Sequence, residues 1–281
     1  MRTRSRMLPP GWYPTGAAAC SRAIQSFLAG VKPLPPGTRV LGGMAPHAGW
    51  DFSGKLAAQV FYLAAQAAGR PQVVCIFGGH LGGNSPPLLV SDDAWETPLG
   101  PVTLATEFYA PLRARLPLAD ERPGDNTIEV NLPFIKHFFP EARVLAVRAP
   151  QSGVALKLGE AVADIAQELR QSALFFGSAD LTHYGPNYGW APRGTGPEAV
   201  KWVKEVNDKH FLEQILKMDA LAAIGAADRD QSSCSAGAPA AALAAVKKLG
   251  ATRALLVDYY TSYDVMPGHS FVGYGGVIFA A

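Results

Sequence analysis

The stretch Arg39–Gly78, RVLGGMAPHAGWDFSGKLAAQVFYLAAQAAGRPQVVCIFG, decides the fold. It opens with an apolar run, Arg39–Ala45, continues with an alanine-rich segment, Gly54–Gly69, and ends in a second apolar run, Val73–Gly78. The two apolar runs have the length and composition of buried strands, and alanine is the strongest helix former. The stretch therefore predicts a βαβ unit whose strands are parallel and joined by a right-handed crossover.

Later segments continue this alternation of strand and helix. Strands are expected at Ala142–Arg148, Ala173–Gly177, Arg253–Tyr259 and Phe271–Ala280, and helices at Ala17–Gly30, Val154–Arg170, Pro197–Lys217 and Gly237–Leu249. The segment Pro87–Gly100 and the PVTLAT that follows it predict a hairpin, because two short strand-like pieces flank a Pro-Leu-Gly turn. We therefore expect one α/β domain over residues 1–281, with a mostly parallel mixed sheet and helices on both faces.

The composition of the chain excludes several classes of protein. Hydrophobic residues make up 48% of its 281 residues and charged residues 17%, so a large buried core is expected. The net charge of +2 is spread over scattered basic residues, which argues against a nucleic-acid partner. No segment resembles a membrane span or a signal peptide, so we expect a cytoplasmic protein without membrane contacts. The arginine-rich start, MRTRSR, is expected to be a frayed terminus.

Two histidines occupy equivalent positions in the βαβ unit. His47 lies two residues past the first predicted strand and His80 two residues past the second. Both positions fall at the carboxyl edge of the sheet, where open α/β sheets bind their ligands. If the two strands are neighbours, about 5 Å apart, the imidazoles can converge on one metal ion. The alternative is that each histidine only caps a loop.

Three further side chains are candidates for chemistry at the same edge. Asp180 and His183 follow the strand at Ala173–Gly177, and on a turn or a first helical turn they would share a face and act as an acid–base pair. The alternative is an N-cap aspartate and an exposed histidine. Cys234 precedes the predicted helix at Gly237–Leu249, and a helix amino terminus favours a thiolate that serves as a metal ligand or a nucleophile.

A series of short motifs runs in order through nearly the whole chain. In sequence they are GWYP (11–14), PHAGWDFSG (46–54), FGGH (77–80), TIEVNLPF (127–134), SADLTHYG (178–185), a cysteine before a late helix, DYYTSYD (258–264) and VGYGG (272–276). This combination resembles the Memo family, whose bacterial members are often named AmmeMemoRadiSam system protein B. The resemblance implies a single Memo-like domain with a fold similar to that of the class III extradiol dioxygenases, which are non-haem iron(II) enzymes.

The resemblance also implies a set of site residues. The metal ligands it implies are His47, His80 and Cys234, with Asp180 and His183 lining the same pocket. Substrate contacts are expected at Asn126, Glu129 and Trp50, and core packing is the alternative role for Trp50. Iron(II) is the expected metal, and copper and zinc are alternatives because a thiolate softens the site.

One departure from the family pattern bears on activity. Where that pattern usually reads Glu-His-Ser-Ile-Glu, this chain reads Asp125-Asn-Thr-Ile-Glu129, so asparagine replaces a histidine at Asn126. Asparagine can form a hydrogen bond to a substrate but cannot shuttle a proton. Any acid–base task of that histidine would be lost here or moved to His183.

Three functional hypotheses follow from these residues. The leading one is a mononuclear metal enzyme with a redox or dioxygenase-like reaction on a small substrate, with aromatic molecules among the candidates and His183 as acid or base, oriented by Asp180. The second is a metal-independent hydrolase with a Cys234, His183 and Asp180 triad. The third is a non-catalytic binding module built on a dioxygenase-like pocket. The resemblance also implies protein partners from the AmmeMemoRadiSam system.

Overall fold

The apolar runs of the sequence form the central strands of a large mixed sheet. The computed structural model describes residues 2–122 and 124–281. The strands are β1 (Thr3–Arg4), β2 (Val40–Ala45), β3 (Val73–Gly78), β4 (Leu88–Leu89), β5 (Ala94–Trp95), β6 (Val102–Thr103), β7 (Ala119–Asp120), β8 (Arg143–Arg148), β9 (Ala173–Ser178), β10 (His183–Tyr184), β11 (Arg253–Thr261) and β12 (Phe271–Ala280).

Helices connect most of these strands. They are α1 (Ala17–Phe27), α2 (Lys55–Ala67), α3 (Tyr109–Arg115), α4 (Asn126–Glu129), α5 (Leu132–Phe138), α6 (Gly153–Glu168), α7 (Pro197–Trp202), α8 (Asp208–Leu216), α9 (Ala220–Asp230), α10 (Gly237–Lys248) and α11 (Ser262–Val265). The helix expected at Pro197–Lys217 is interrupted by a π turn at Val203–Asn207, and α9 was not predicted. Within residues 2–122 and 124–281, no helix is long and apolar enough to span a bilayer.

The order of strands confirms the mixed sheet but corrects one assumption about it. The sheet runs β10, β12, β2, β9, β3, β8, β4, β7, and β11 pairs with β12. The four strands β2, β9, β3 and β8 are parallel, as predicted. The expectation that β2 and β3 are neighbours is wrong, because the chain returns through α6 and places β9 between them. Such a reversal of strand order opens a crevice at the carboxyl ends of the strands.

Two apolar cores lie on opposite faces of this sheet. Successive residues of a strand point to opposite faces, so Cys75 and Phe77 of β3 lie in one core and Val74 and Ile76 in the other. The first core includes residues of α6, α8, α9 and α10, and the second those of α1, α2 and α5. Helices therefore cover both faces of a single α/β domain, as the sequence predicted.

The amino-terminal segment and the predicted hairpin form a small second sheet. The hairpin is confirmed, because Trp95 of β5 pairs antiparallel with Val102 of β6. The expectation of a frayed start is wrong: β1 pairs with β5, and the Arg4 side chain is only 4% exposed, in an ion pair with Glu121 and above the ring of Trp95. Met1 lies outside the described residues. A buried partner for its charge, which the local sequence does not reveal, draws Arg4 into the core.

Candidate metal centre

Three side chains meet where the crevice opens at the carboxyl edge. His47 follows β2, His80 follows β3, and Cys234 lies in the loop before α10. The centroids of the two imidazole rings are 5.0 Å apart, and Sγ of Cys234 lies 3.2 Å from Nε2 of His47. One ligand atom from each of the three residues lies within 4.8 Å of the others. The convergence expected from the sequence is confirmed, and we call these residues the metal cluster.

A hydrogen bond at Nδ1 fixes the tautomer of the His47 imidazole. The hydroxyl of Ser178, at the end of β9, donates a hydrogen bond to the carbonyl of Thr127 and accepts one from the side-chain amide of Asn131. The hydroxyl oxygen also lies 3.1 Å from Nδ1 of His47. Because its proton is already donated to Thr127, it can only accept a hydrogen bond from Nδ1. A proton on Nδ1 leaves Nε2 with a free lone pair beside Cys234. This is how an outer hydrogen bond usually orients a metal-ligating histidine.

A carboxylate and a guanidinium hold His80 in an unusual backbone conformation. His80 has a φ of +58°, in the left-handed region that residues other than glycine seldom adopt. Its Nδ1 lies 2.9 Å from Oδ2 of Asp125, which leaves Nε2 free to coordinate. Arg148 donates to the carbonyls of Gly79 and His80 at 2.9 and 3.3 Å and pairs with Asp125 at 3.1 Å. These contacts stabilise the turn that aims the ring.

A glycine lets the cysteine loop approach the histidine loop. A Cβ added to Gly79 would lie 1.8 Å from Cβ of Ser235, the residue after Cys234. Any larger residue would push the two loops apart, because real Cβ contacts are never this short. Gly79 therefore permits the close contact between the loops that carry His80 and Cys234.

The charges within the metal cluster favour a thiolate. Burial opposes ionisation, but His47 and the hydrogen bonds from His183, His47 and His80 hold the pKa of Cys234 well below its ordinary value. Burial likewise opposes charge on His80, yet the hydrogen bonds to Asp125 and Cys234 raise its pKa to about 10. The protein without metal thus pairs a thiolate with imidazolium. A metal ion would replace those protons with a single divalent charge.

An aromatic cleft of about 460 Å³ opens beside the metal cluster. His47, His80, Asp180 and His183 form its floor. Its walls are largely aromatic or apolar and include Trp12, Phe52, Tyr188, Met266, Val272 and Tyr274. We call this space the aromatic cleft. Its size and lining are typical of a site for a small organic molecule.

Comparisons with known proteins identify the family of this chain. The family model described as "Memo-like protein" matches residues 4–278. The chain belongs to the Memo family. It is 34% identical to a MEMO1 family protein of Methanopyrus kandleri, covering 85% of this chain and 82% of the relative. A MEMO1 family protein of Thermococcus onnurineus is 31% identical over 86% and 87% of the two chains, and one of Pyrococcus abyssi is 29% identical over 95% and 96%.

Asp180 has a different partner from the one expected in this Memo-family chain. Its Oδ1 accepts from the backbone N–H of His47 at 2.7 Å, and its Oδ2 lies 3.9 Å from Nε2 of His47. No hydrogen bond joins it to His183 in the described part of the chain. The expected turn or first helical turn is also wrong, because Leu181 forms a β-bridge with Ser233 and His183–Tyr184 forms β10. Asp180 therefore positions His47, and the triad expected for a hydrolase lacks its carboxylate-to-histidine link.

Two of the expected substrate contacts have structural roles instead. The carboxylate of Glu129 is buried and accepts from the backbone N–H groups of Met7 and Leu8 and from the hydroxyl of Tyr13. Trp50 is 3% exposed and stacks on Phe134 with a centroid distance of 4.2 Å. The structure shows the core-packing alternative for Trp50, and Glu129 faces the amino-terminal segment; neither residue is among those that line the aromatic cleft.

Asn126 does line the aromatic cleft. Its side-chain amide donates to the backbone carbonyl of His47 at 3.0 Å. The sequence did not predict Ser178, Asp125 or Arg148 as partners of the metal cluster. Asp125 carried the best available signal, since it directly precedes Asn126 in the DNTIE motif. These residues bond to His47 or His80 at atoms other than Nε2. No local sequence pattern distinguishes such a role.

Replacing Asp125 with asparagine tests the support of His80. Asp125→Asn removes the charge that stabilises the ring and weakens the pairing with Arg148. We expect metal affinity to fall by about 10–100-fold, as is usual for partners that orient a ligand. Competition with a chromophoric chelator measures the change. Asp120→Asn, which removes a carboxylate whose side chain is 65% exposed, is the control and should bind the metal as the wild type does.

Proposed function

We propose that this Memo-family protein holds one metal ion through His47, His80 and Cys234 and catalyses a redox or dioxygenase-like reaction on a small aromatic substrate. The observation that carries the proposal is the convergence of two imidazoles, each bound through Nδ1, with the sulfur of Cys234, which lies beside Nε2 of His47. Iron(II) is the metal we propose first. Copper and zinc remain alternatives, because a thiolate suits softer ions than a carboxylate does.

The donor set fits a metal that keeps coordination positions open. Two histidines and one anionic ligand on one side of an iron(II) ion would allow substrate and dioxygen to bind together, which is the chemistry the metal would supply. The protein contributes the arrangement around it. Asp180 and Asn126 both bond to the His47 backbone, so the floor of the aromatic cleft keeps its shape when a substrate enters.

His183 is the residue we propose for proton transfer. It lines the aromatic cleft, and its Nε2 is buried without a hydrogen-bond partner among the described residues. Burial disfavours its charged form, but the nearby Cys234 and Asp180 raise the pKa of His183. A raised pKa favours the protonated ring, which can give its proton to a substrate oxygen and take it back. His183 would then carry out any proton transfer that the histidine replaced by Asn126 performs in other family members.

The aromatic cleft supports the proposed substrate class. Rings of Trp12, Phe52, Tyr188 and Tyr274 can pack against a flat apolar molecule. The buried polar atoms lie at the floor beside the metal cluster, so a hydroxyl-bearing edge of the ring would point toward the metal. Partners from the AmmeMemoRadiSam system and a cytoplasmic location stay predictions.

Oxygen uptake tests the proposed reaction. The protein is loaded with iron(II) without oxygen, mixed with one of a panel of catechols, and then exposed to oxygen. We expect sustained uptake with at least one catechol, and a fall of about 10²–10⁴-fold in the turnover of His183→Ala, because that change removes the acid–base group. An absence of uptake across a broad panel, with iron bound, would instead favour a non-catalytic binding module.

A further inference from the structure

A second cleft meets the metal cluster from another side. It has a volume of about 530 Å³ and contains Cys234. His80, His183 and Tyr188 line both clefts, whereas His47 lines only the aromatic one and Cys234 only this one. The metal cluster therefore lies at a junction, with one ligand facing each cleft and His80 facing both.

Cys234 is reached from the second cleft. Cys234 is a partly exposed residue, whereas His47 is 1% exposed. Cys234 lines this second cleft and not the aromatic one, so we take the second cleft as the route to its sulfur. A molecule in this second cleft would approach the metal from the sulfur side. A substrate in the aromatic cleft would not block its path.

Polar groups line the second cleft, which we call the polar cleft. They include Gln151, Asp228, Gln231 and Ser233. The carboxylate of Asp228 is exposed and accepts from the side-chain amide of Gln151 at 2.6 Å. His80 and His183 line the same cleft, and the raised pKa values of both rings favour positive charge, which offsets the negative charge of Asp228. The amides and hydroxyl supply hydrogen bonds for a small polar guest.

From this geometry we infer that the polar cleft is a separate entrance and binding site for a small, polar, hydrogen-bonding molecule. It serves the metal centre from the thiolate side while the organic substrate occupies the aromatic cleft. The inference rests on the proposed function for its metal. The access route itself depends only on the protein and is measured without metal.

Two matched glycine substitutions distinguish the clefts. Gly82 lines the polar cleft and Gly268 the aromatic cleft. A Cβ at Gly82 meets nothing within 4 Å, and one at Gly268 meets its nearest atom at 3.7 Å. Neither glycine has a positive φ, so both positions can accept a large side chain without backbone strain. Gly82→Trp narrows the polar cleft, and Gly268→Trp narrows the aromatic cleft.

Alkylation of Cys234 by neutral iodoacetamide is the measurement, followed by peptide mass spectrometry on metal-free protein. We expect Gly82→Trp to slow the reaction by about tenfold or more and Gly268→Trp to leave it within about twofold, because access controls thiol reactivity. Gly82→Leu provides a smaller obstruction if the tryptophan variant does not fold. Equal rates in both variants, or slowing by Gly268→Trp alone, would overturn the inference.

A further arm separates the access route from the metal. Zinc ion added alone should protect Cys234 in the wild type and in both glycine variants. If zinc gives no protection while Gly82→Trp still blocks alkylation, the metal proposal fails and the entrance stands.

Discussion

Replacing Cys234 with serine is expected to weaken metal binding by at least about 100-fold, because the thiolate is a direct ligand and even outer partners contribute 10–100-fold. His47→Ala should cause a loss of similar size, since it removes the imidazole whose Nε2 lies 3.2 Å from the sulfur. The affinities are measured by competition with a chromophoric chelator. Elemental analysis of the purified proteins provides the matching metal content.

A surface histidine supplies the control for this experiment. His210 lies on α8 and pairs with Asp230, with 43% of its side chain exposed. His210→Ala should therefore retain the wild-type affinity. If Cys234→Ser and His47→Ala also retained it, the metal cluster would not be the binding site.

The substitution expected to lower stability most is Arg4→Ala. Arg4 lies in the amino-terminal segment that was expected to be frayed. The side chains of Arg4 and Glu121 are 4% and 2% exposed, so their ion pair is shielded from water. The guanidinium also lies 4.1 Å from the centroid of the Trp95 ring. Arg4→Ala would leave the buried carboxylate with only Arg148, at 3.6 Å. Removing one partner of a buried pair typically lowers the free energy of unfolding by about 3–5 kcal/mol.

Arg2 offers a matched control from the same segment. Its side chain is 66% exposed and pairs with Asp92 at the surface. Arg2→Ala should change the free energy of unfolding by less than about 1 kcal/mol. Both variants are compared by denaturation in guanidinium chloride at neutral pH. A similar, small change in the two variants would show that β1 does not stabilise the domain.

The βαβ unit could be predicted because its signals are local. Apolar runs of strand length flank an alanine-rich segment in Arg39–Gly78, and the structure follows them closely as β2, α2 and β3. The position of β9 between β2 and β3 could not be predicted, since strand order depends on pairings between distant segments. The two histidines still meet, because both lie at the same edge of the sheet.

The residues of the metal cluster could be predicted from the sequence, but the residues that contact them could not. His47 and His80 each follow a strand by two residues, and this repeated position is visible without a structure. The burial of Arg4 could not be predicted, because its partner Glu121 is 117 residues away in the sequence. Glu129 lies in a motif close to the site, yet its carboxylate turns toward the amino-terminal segment. The direction of a side chain on a short helix depends on contacts that the local sequence does not contain.

X-ray absorption at the zinc edge tests the central claim most directly. Wild-type protein loaded with one equivalent of zinc should show one sulfur neighbour at about 2.3 Å and nitrogen neighbours at about 2.0–2.1 Å. The sulfur should disappear in Cys234→Ser, because Cys20 and Cys75 are buried away from the metal cluster. A wild-type spectrum with only nitrogen and oxygen neighbours would contradict a metal centre built from His47, His80 and Cys234.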